Sequence, residues 1–213
     1  MSKMKELTSC AALLIDQVAS RHTDRTQNHP RILAAIETIN TKIPALDPLR
    51  VTVGDEIQAV YETLGDALRA SHHIRANLFG EVELRFGIGL GDVEVIDAER
   101  GIQDGSAWWR ARAAIEEIEQ LAAEPGTAGL RTGIRDERSE ANPLTVATAR
   151  LVDTQLFRLR PGAREALRSL LAGLDNQTAA KLAGITPSAN SQRIINNDLR
   201  TLAEAIETLG QLP

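Results

Sequence analysis

The sequence predicts an α+β fold in which one antiparallel sheet carries helices on one face, followed by an all-α C-terminal domain. Short apolar runs alternate with helical patterns over residues 10–97, in the order strand, helix, hairpin, helix, hairpin. A strong helical pattern at residues 106–124 stops at a Pro-Gly pair. Helical patterns fill the rest of the chain, so we place the two domains at residues 1–140 and 141–213.

The first strand and helix open the sheet domain. The continuous apolar run CAALLIDQVA, residues 10–19, is typical of a buried central strand, and Asp16 lies near its C-terminal end. The next helix is expected to begin at NHP, because Pro30 fits a first helical turn and isoleucines then recur at helical spacing.

Two hairpins complete the predicted sheet. RVTV and IQAVY flank Gly54, Asp55 and Glu56, and Gly-Asp between apolar runs is a strong hairpin signal. Because side chains alternate along a strand, we expect Glu56 to point to the opposite face from Asp55. After a helix at residues 63–77, the segment VELRFGIGLGDVEVID at residues 82–97 predicts a second pair of strands, broken by glycines.

Composition limits the possible functional classes. The 213 residues carry a net charge of −5, which argues against a general polyanion binder, although residues 156–213 hold seven Lys and Arg against five Asp and Glu. Cys10 is the single cysteine, which excludes an internal disulfide and fits a buried structural thiol. The N-terminus lacks a signal-peptide pattern and no apolar run reaches the ~18 residues of a membrane span, so we expect a cytoplasmic protein.

Asp16 and Asp55 are the candidate metal ligands. A strand that ends in Asp16 and a hairpin that presents Asp55 would lie side by side at the centre of an antiparallel sheet. Two carboxylates there can share one or two Mg²⁺ ions, which prefer oxygen ligands and also bind nucleotide phosphates. The alternatives are an acidic hairpin turn for Asp55 and a cation or solvent partner for Asp16.

Glycines near these carboxylates are candidates for nucleotide binding, because they let the backbone approach a phosphate or a base. They are Gly54, Gly87, Gly89 and Gly91. A twisted or bulged strand would explain the last three equally well.

The C-terminal segment NQTAAKLAGITPSANSQRI, residues 176–194, has the spacing of a helix, a tight turn at Gly184 and a second helix. It resembles the helix-turn-helix of sigma-factor-like and response-regulator output domains, except that Asn190 stands where a β-branched residue is usual. The second helix would lie in a DNA major groove and offer these side chains: Ser188, Ser191, Gln192, Arg193 and Asn196. Such proteins read paired half-sites, which predicts a homodimer, whereas the alternative is a plain helical packing or dimerisation unit.

Four pieces of the sheet domain resemble, in order, the motifs of the class III nucleotidyl cyclases, whose ferredoxin-like, palm-like catalytic domain is shared with GGDEF proteins. They are LLIDQVAS, VGDEIQAVY, RFGIGLGDVEV and DGSAWWRAR. In the cyclases, an Asn and an Arg four residues later steady the ribose and the transition-state phosphate. If Arg112 takes the Arg place, Trp108 takes the Asn place, where it would stack on a base or fill the core.

The SatD family gives a still better match. Its members look like GDIVGSR, GDEFQ, RFGIGxG and DGPAFxxAR, and the counterparts here are IDQVASR (15–21), GDEIQ (54–58), RFGIGLG (85–91) and DGSAWWRAR (104–112). The resemblance covers residues 10–124, and a helix-turn-helix after the palm-like part is also found in the family. It implies the architecture more than the activity.

Two functions from different classes remain open at this point. The first is a transcriptional regulator that binds a nucleotide or related phosphate ligand through Asp16, Asp55, Mg²⁺ and Arg112, coupled to duplex DNA through its C-terminal domain. The second is a metal-dependent nucleotidyl cyclase or nucleotidyltransferase that uses the same carboxylates. Because a tryptophan cannot orient a ribose hydroxyl as an amide does, the sequence favours the regulator.

Overall fold

The computed structural model describes residues 6–18, 25–52 and 56–213. The elements of this part of the chain, in order, are β1 (Glu6–Gln17), α1 (Arg25–Lys42), β2 (Asp47–Val51), β3 (Ile57–Tyr61), α2 (Leu64–Asn77), β4 (Leu84–Asp97), β5 (Ile102–Asp104), α3 (Ser106–Ala122), β6 (Thr132–Arg135), α4 (Pro143–Arg158), α5 (Pro161–Leu171), α6 (Asn176–Leu182), α7 (Pro187–Asn196) and α8 (Leu199–Leu209). None of these helices has the length and apolar character needed to cross a membrane.

The strands form one six-stranded sheet with the order β2-β3-β1-β4-β5, and β6 pairs in parallel with β4. The segment from β1 to β4 runs strand, helix, strand, strand, helix, strand, with β1 and β4 adjacent and antiparallel, which is the ferredoxin-like arrangement. The α+β prediction is therefore confirmed. The parallel strand β6 was not predicted, because its four residues are too few to show a period of two.

Helices cover both faces of the sheet, so the expectation of helices on one face is wrong. One set of alternate β1 residues lies in the apolar cluster of α3: Cys10, Ala12 and Leu14. The other set lies in the cluster of α1 and α2: Ala11, Leu13 and Ile15. Because both sets are apolar, water has to be excluded from both sides of the strand. We call the side covered by α3 the α3 face.

Two element boundaries also differ from the prediction. Helix α1 begins at Arg25, so Pro30 lies inside the helix and not in its first turn. Residues 84–97 form one long strand, which pairs with β1 and then, near its end, with β5. The glycines do not break this strand, because they serve close packing against α3, as described below.

The C-terminal helices are in contact with the sheet layer. The predicted helices that begin at Pro143 and Pro161 are present as α4 and α5, and three more follow. Buried residues of α4, α5, α7 and α8 belong to the same apolar cluster as residues of β1, α1 and α2. The division into domains at residues 1–140 and 141–213 stays a prediction.

A buried carboxylate fastens α4 to the sheet layer. Asp153 is fully buried, and its Oδ2 accepts hydrogen bonds from the backbone N–H groups of Arg131 and Thr132, both at 2.7 Å. Its Oδ1 accepts from the Thr132 hydroxyl at 3.1 Å and from the guanidinium of Arg75 on α2. One side chain therefore joins α4, α2 and the start of β6.

Candidate functional site

Polar residues gather on the α3 face where β1 ends and β3 begins. In the β1 ladder Asp16 lies opposite Arg85 of β4, and Ile15 lies opposite Ile57 of β3. Because side chains alternate, Asp16 and Arg85 share the α3 face with Gln58 of β3. Glu56, which precedes β3, reaches the same face, since it forms an ion pair with α3. We call Asp16, Glu56, Gln58, Arg85 and Arg112 the polar cluster.

Asp16 has a cationic partner in the chain. Arg85 Nη1 lies 3.2 Å from Asp16 Oδ2 and 3.1 Å from Glu119 Oε1 on α3. The Arg85 side chain is only 10% exposed, whereas that of Asp16 is 39% exposed. Of the partners considered for Asp16, the structure shows a cation, Arg85. A metal ion at this carboxylate would have to compete with the nearly buried guanidinium of Arg85.

Arg112 of α3 forms an ion pair with Glu56 at the solvent-exposed side of the polar cluster. Its Nη2 lies 2.5 Å from Glu56 Oε2, and Gln58 Nε2 donates to Glu56 Oε1 at 2.9 Å. The Arg112 side chain is 49% exposed, so an anion in solvent has access to it. Glu56 therefore lies on the α3 face, and the expectation that it points to the opposite face from Asp55 stays a prediction, because Asp55 and Gly54 lie outside the described residues.

Trp108 lies one helical turn before Arg112 and fills the core. Its side chain is buried against Val60, Ala111 and Ile115 in the cluster beneath α3. Its indole Nε1 is buried and has no hydrogen-bond partner. Of the two roles considered for Trp108, the structure therefore places the ring in the core.

The glycines of β4 lie directly under α3. A Cβ atom at Gly87 would collide with the backbone oxygen of Ala111, and one at Gly89 with the backbone of Ala107 and Ala111. Gly91 faces the Ser106 hydroxyl and a guanidinium nitrogen of Arg110 in the same way. Close approach of the helix to the strand accounts for all three glycines. Their role in nucleotide binding stays a prediction.

The predicted Mg²⁺ site depends on Asp55, which lies outside the described residues. Within residues 6–18, 25–52 and 56–213, no group of three or more His, Cys, Asp or Glu side chains is arranged to hold a metal ion. Asp16 is the one predicted ligand in this part of the chain. The Asp16 and Asp55 site for Mg²⁺ therefore stays a prediction.

The candidate DNA-binding residues of α7 have different surroundings. Ser188, Gln192 and Asn196 are exposed, and Gln192 Nε2 donates to Asn196 Oδ1 at 2.7 Å. Ser191 Oγ accepts from Asn176 of α6 at 3.1 Å. Arg193 packs against Gly162 and lies 3.6 Å from Glu165 Oε2, so α5 holds the cation that was expected to read a base.

The surroundings of Asn190 explain why it can stand where a β-branched residue is usual in a helix-turn-helix. It is 1% exposed, and its Nδ2 donates to Asn176 Oδ1 at 2.9 Å, so the amide is satisfied inside the α6 and α7 pair. A buried amide that is hydrogen-bonded replaces the apolar contact of a β-branched residue.

The SatD family model matches residues 11–201 of this sequence. The chain belongs to the SatD family. The match runs from within β1 to the start of α8, so the family extends beyond the segment in which its motifs were recognised. A comparison with curated proteins finds no match. Among solved structures, the catalytic core of a rhodopsin-guanylyl cyclase with converted specificity, in complex with ATPalphaS, is similar at 16% identity and a TM-score of 0.42. The similarity covers 55% of this chain and 76% of that one.

Three members of the polar cluster in this SatD protein were not predicted as site residues: Glu56, Gln58 and Arg85. Arg85 stands in the RFGIGLG motif, and an arginine in an apolar, glycine-rich strand is a usable signal, because a buried guanidinium needs an acidic partner. Glu56 was considered only in relation to Asp55, because its ion pair with Arg112 depends on how α3 packs on the sheet and is not visible from local spacing.

Proposed function

We propose that this SatD protein is a regulator that binds a phosphate-bearing ligand, such as a nucleotide, on the α3 face and does not turn it over. The observation that carries the proposal is Arg112, a half-exposed guanidinium held by Glu56 next to the start of β3. Arginine binds phosphate through paired charge-assisted hydrogen bonds. A phosphate can replace Glu56 as its partner, since Gln58 remains as a donor to the carboxylate.

Binding without turnover follows from what surrounds Arg112. Catalysis of phosphoryl or nucleotidyl transfer needs several donors aimed at the reacting groups, and each missing donor typically costs about 100-fold or more in rate. Trp108 is packed in the core and presents no amide to a ribose hydroxyl. Asp16 is paired with Arg85, so it is not preorganised for a metal.

Mg²⁺ belongs to the proposal as a counterion of the ligand's phosphates. Asp16 is half-exposed and would supply one carboxylate, with Asp55 as the second, and the ion would take the place of Arg85 at Asp16. We expect Mg²⁺ binding to depend on the ligand, because the ligand's phosphates would supply the ion with further oxygen atoms.

We expect purified protein incubated with ATP or GTP and Mg²⁺ or Mn²⁺ to yield no cyclic nucleotide or dinucleotide above the level of an Asp16→Ala, Asp55→Ala double variant. Chromatography of the reaction mixture measures the product. Product that forms with the native protein and is lost in the double variant would favour the alternative, a metal-dependent nucleotidyl cyclase.

The second part of the proposal is that α6 and α7 bind duplex DNA, with the protein acting as a homodimer. Its support is the turn between α6 and α7, where Gly184 has a φ of +65°, and the exposed amides of Gln192 and Asn196. Amide side chains of this kind read adenine edges in the major groove.

On a duplex selected from random sequences, we expect Gln192→Ala to weaken binding by about 1–3 kcal/mol, with a smaller loss on unselected DNA. Thr201→Ala, an exposed change on α8, is the control. Absence of binding to any duplex at low salt would remove the DNA-binding part of the proposal.

A further inference from the structure

Four arginines lie close together where α4 ends and α5 begins. They are Arg158, Arg160, Arg164 and Arg168. Arg164 and Arg168 lie one turn apart on the same side of α5, about 6 Å along its axis, and Arg160 is the capping residue just before the helix. We call these four residues the arginine row.

No carboxylate of the described residues lies within ion-pair distance of the arginine row, whereas most arginines in the sheet layer are paired. Arg158 and Arg160 are exposed, and Arg168 is half-buried without a side-chain partner. Arg164 is fixed in place, because it lies over the ring of Phe79 at 5.4 Å and donates to the backbone oxygen of Phe157.

Nearby carboxylates are engaged by other cations. Glu165, within α5 itself, lies 3.6 Å from Arg193. Glu81, two residues after Phe79, lies 3.1 Å from Arg31, and Glu83 lies 3.3 Å from Arg131. The row therefore keeps its positive charge in a protein whose net charge is −5. Like charges four residues apart destabilise a helix by themselves, so this row has a cost that an anionic partner would offset.

We propose that the arginine row binds the phosphate backbone of duplex DNA. This inference rests on the DNA-binding part of the proposed function and adds the surface that supplies affinity. Its support is charge: four arginines without an acidic partner among the described residues lie around the start of α5, two of them are exposed, and arginine side chains neutralise backbone phosphates. Because α7 carries one cation, Arg193, which is paired with Glu165, α7 alone supplies little of the positive charge that phosphate contacts need, and we expect another surface to add to the affinity.

The test is the salt dependence of binding to one duplex, measured by fluorescence anisotropy on the full chain. The negative slope of log K against log[salt] is expected to become less steep by about 0.9 for each of Arg158→Gln, Arg160→Gln and Arg168→Gln. The loss should be similar on selected and random sequences, since phosphate contacts carry no sequence information. Arg100→Gln, in an exposed ion pair with Asp97, is the matched control and should leave the slope unchanged.

Several results would overturn the inference. If DNA binds and the three variants keep the native slope, the row is not the phosphate surface, although the α7 proposal stands. If no duplex binds at low salt, both fail together. Binding that depends on the row but occurs only to vesicles of anionic lipid, or only to an acidic polypeptide, would assign the row to another class of partner. Circular dichroism of each variant excludes loss of fold as the cause.

Discussion

Replacing Asp153 with alanine is expected to lower the free energy of unfolding by about 3–5 kcal/mol, which is the usual cost of removing one partner from a buried ion pair. The change removes the carboxylate acceptor of the Arg75 guanidinium, which is 6% exposed, and of two backbone N–H groups at the start of β6. A buried donor that loses its acceptor costs about 1–3 kcal/mol, and more when it is charged.

Urea denaturation measures the effect of Asp153→Ala. Glu116→Gln, an exposed change on α3, is the control and should stay within about 0.5 kcal/mol of the native protein. A loss below about 1 kcal/mol in Asp153→Ala would show that α4 is held to the sheet layer by apolar packing alone, and that the buried carboxylate has little part in it.

Gly89→Ala is expected to lower the free energy of unfolding by about 3 kcal/mol, at the upper end of the range for overpacking. The added methyl group would meet the backbone of Ala107 and Ala111, and a helix backbone cannot move aside as a flexible side chain does. Since α3 has to move as a whole, Arg112 moves with it and the ion pair with Glu56 changes.

Gly126→Ala provides the matched control, because nothing lies within 4 Å of the Cβ that it would add. Thermal and urea unfolding of both variants measure the difference. Equal stability of the two variants would mean that β4 and α3 do not pack as closely as described, and the account of the three β4 glycines would then be wrong.

The sequence predicted the α+β class and the succession of strands and helices along β1 to β4, but it did not predict the layering of helices. In β1, every residue from Cys10 to Ile15 is apolar, which indicates burial of both faces. The glycines of β4 could have predicted the second layer, because a strand with Gly at alternate positions lets a helix backbone approach that face closely. The starts of helices were less certain, as Pro30 inside α1 illustrates.

The candidate site was predicted in part. Asp16 and Arg112 both lie on the α3 face, and the ion pair between Arg112 and Glu56 was not predicted. Arg85 was missed because its role depends on cross-strand register, which brings it opposite Asp16 and is not visible from local spacing. The pairing of Arg193 with Glu165 likewise depends on how α5 packs against α7.

The central claim is that a phosphate ligand competes with Glu56 for Arg112, and calorimetric titration of the full chain with GTP or ATP tests it most directly. We expect Arg112→Gln to weaken binding at least about tenfold, because it removes charge-assisted hydrogen bonds. Glu56→Gln should tighten binding, because it removes the carboxylate that occupies Arg112. Opposite effects of the two changes are the predicted result. No binding by the native protein, or equal weakening by both variants, would contradict the claim.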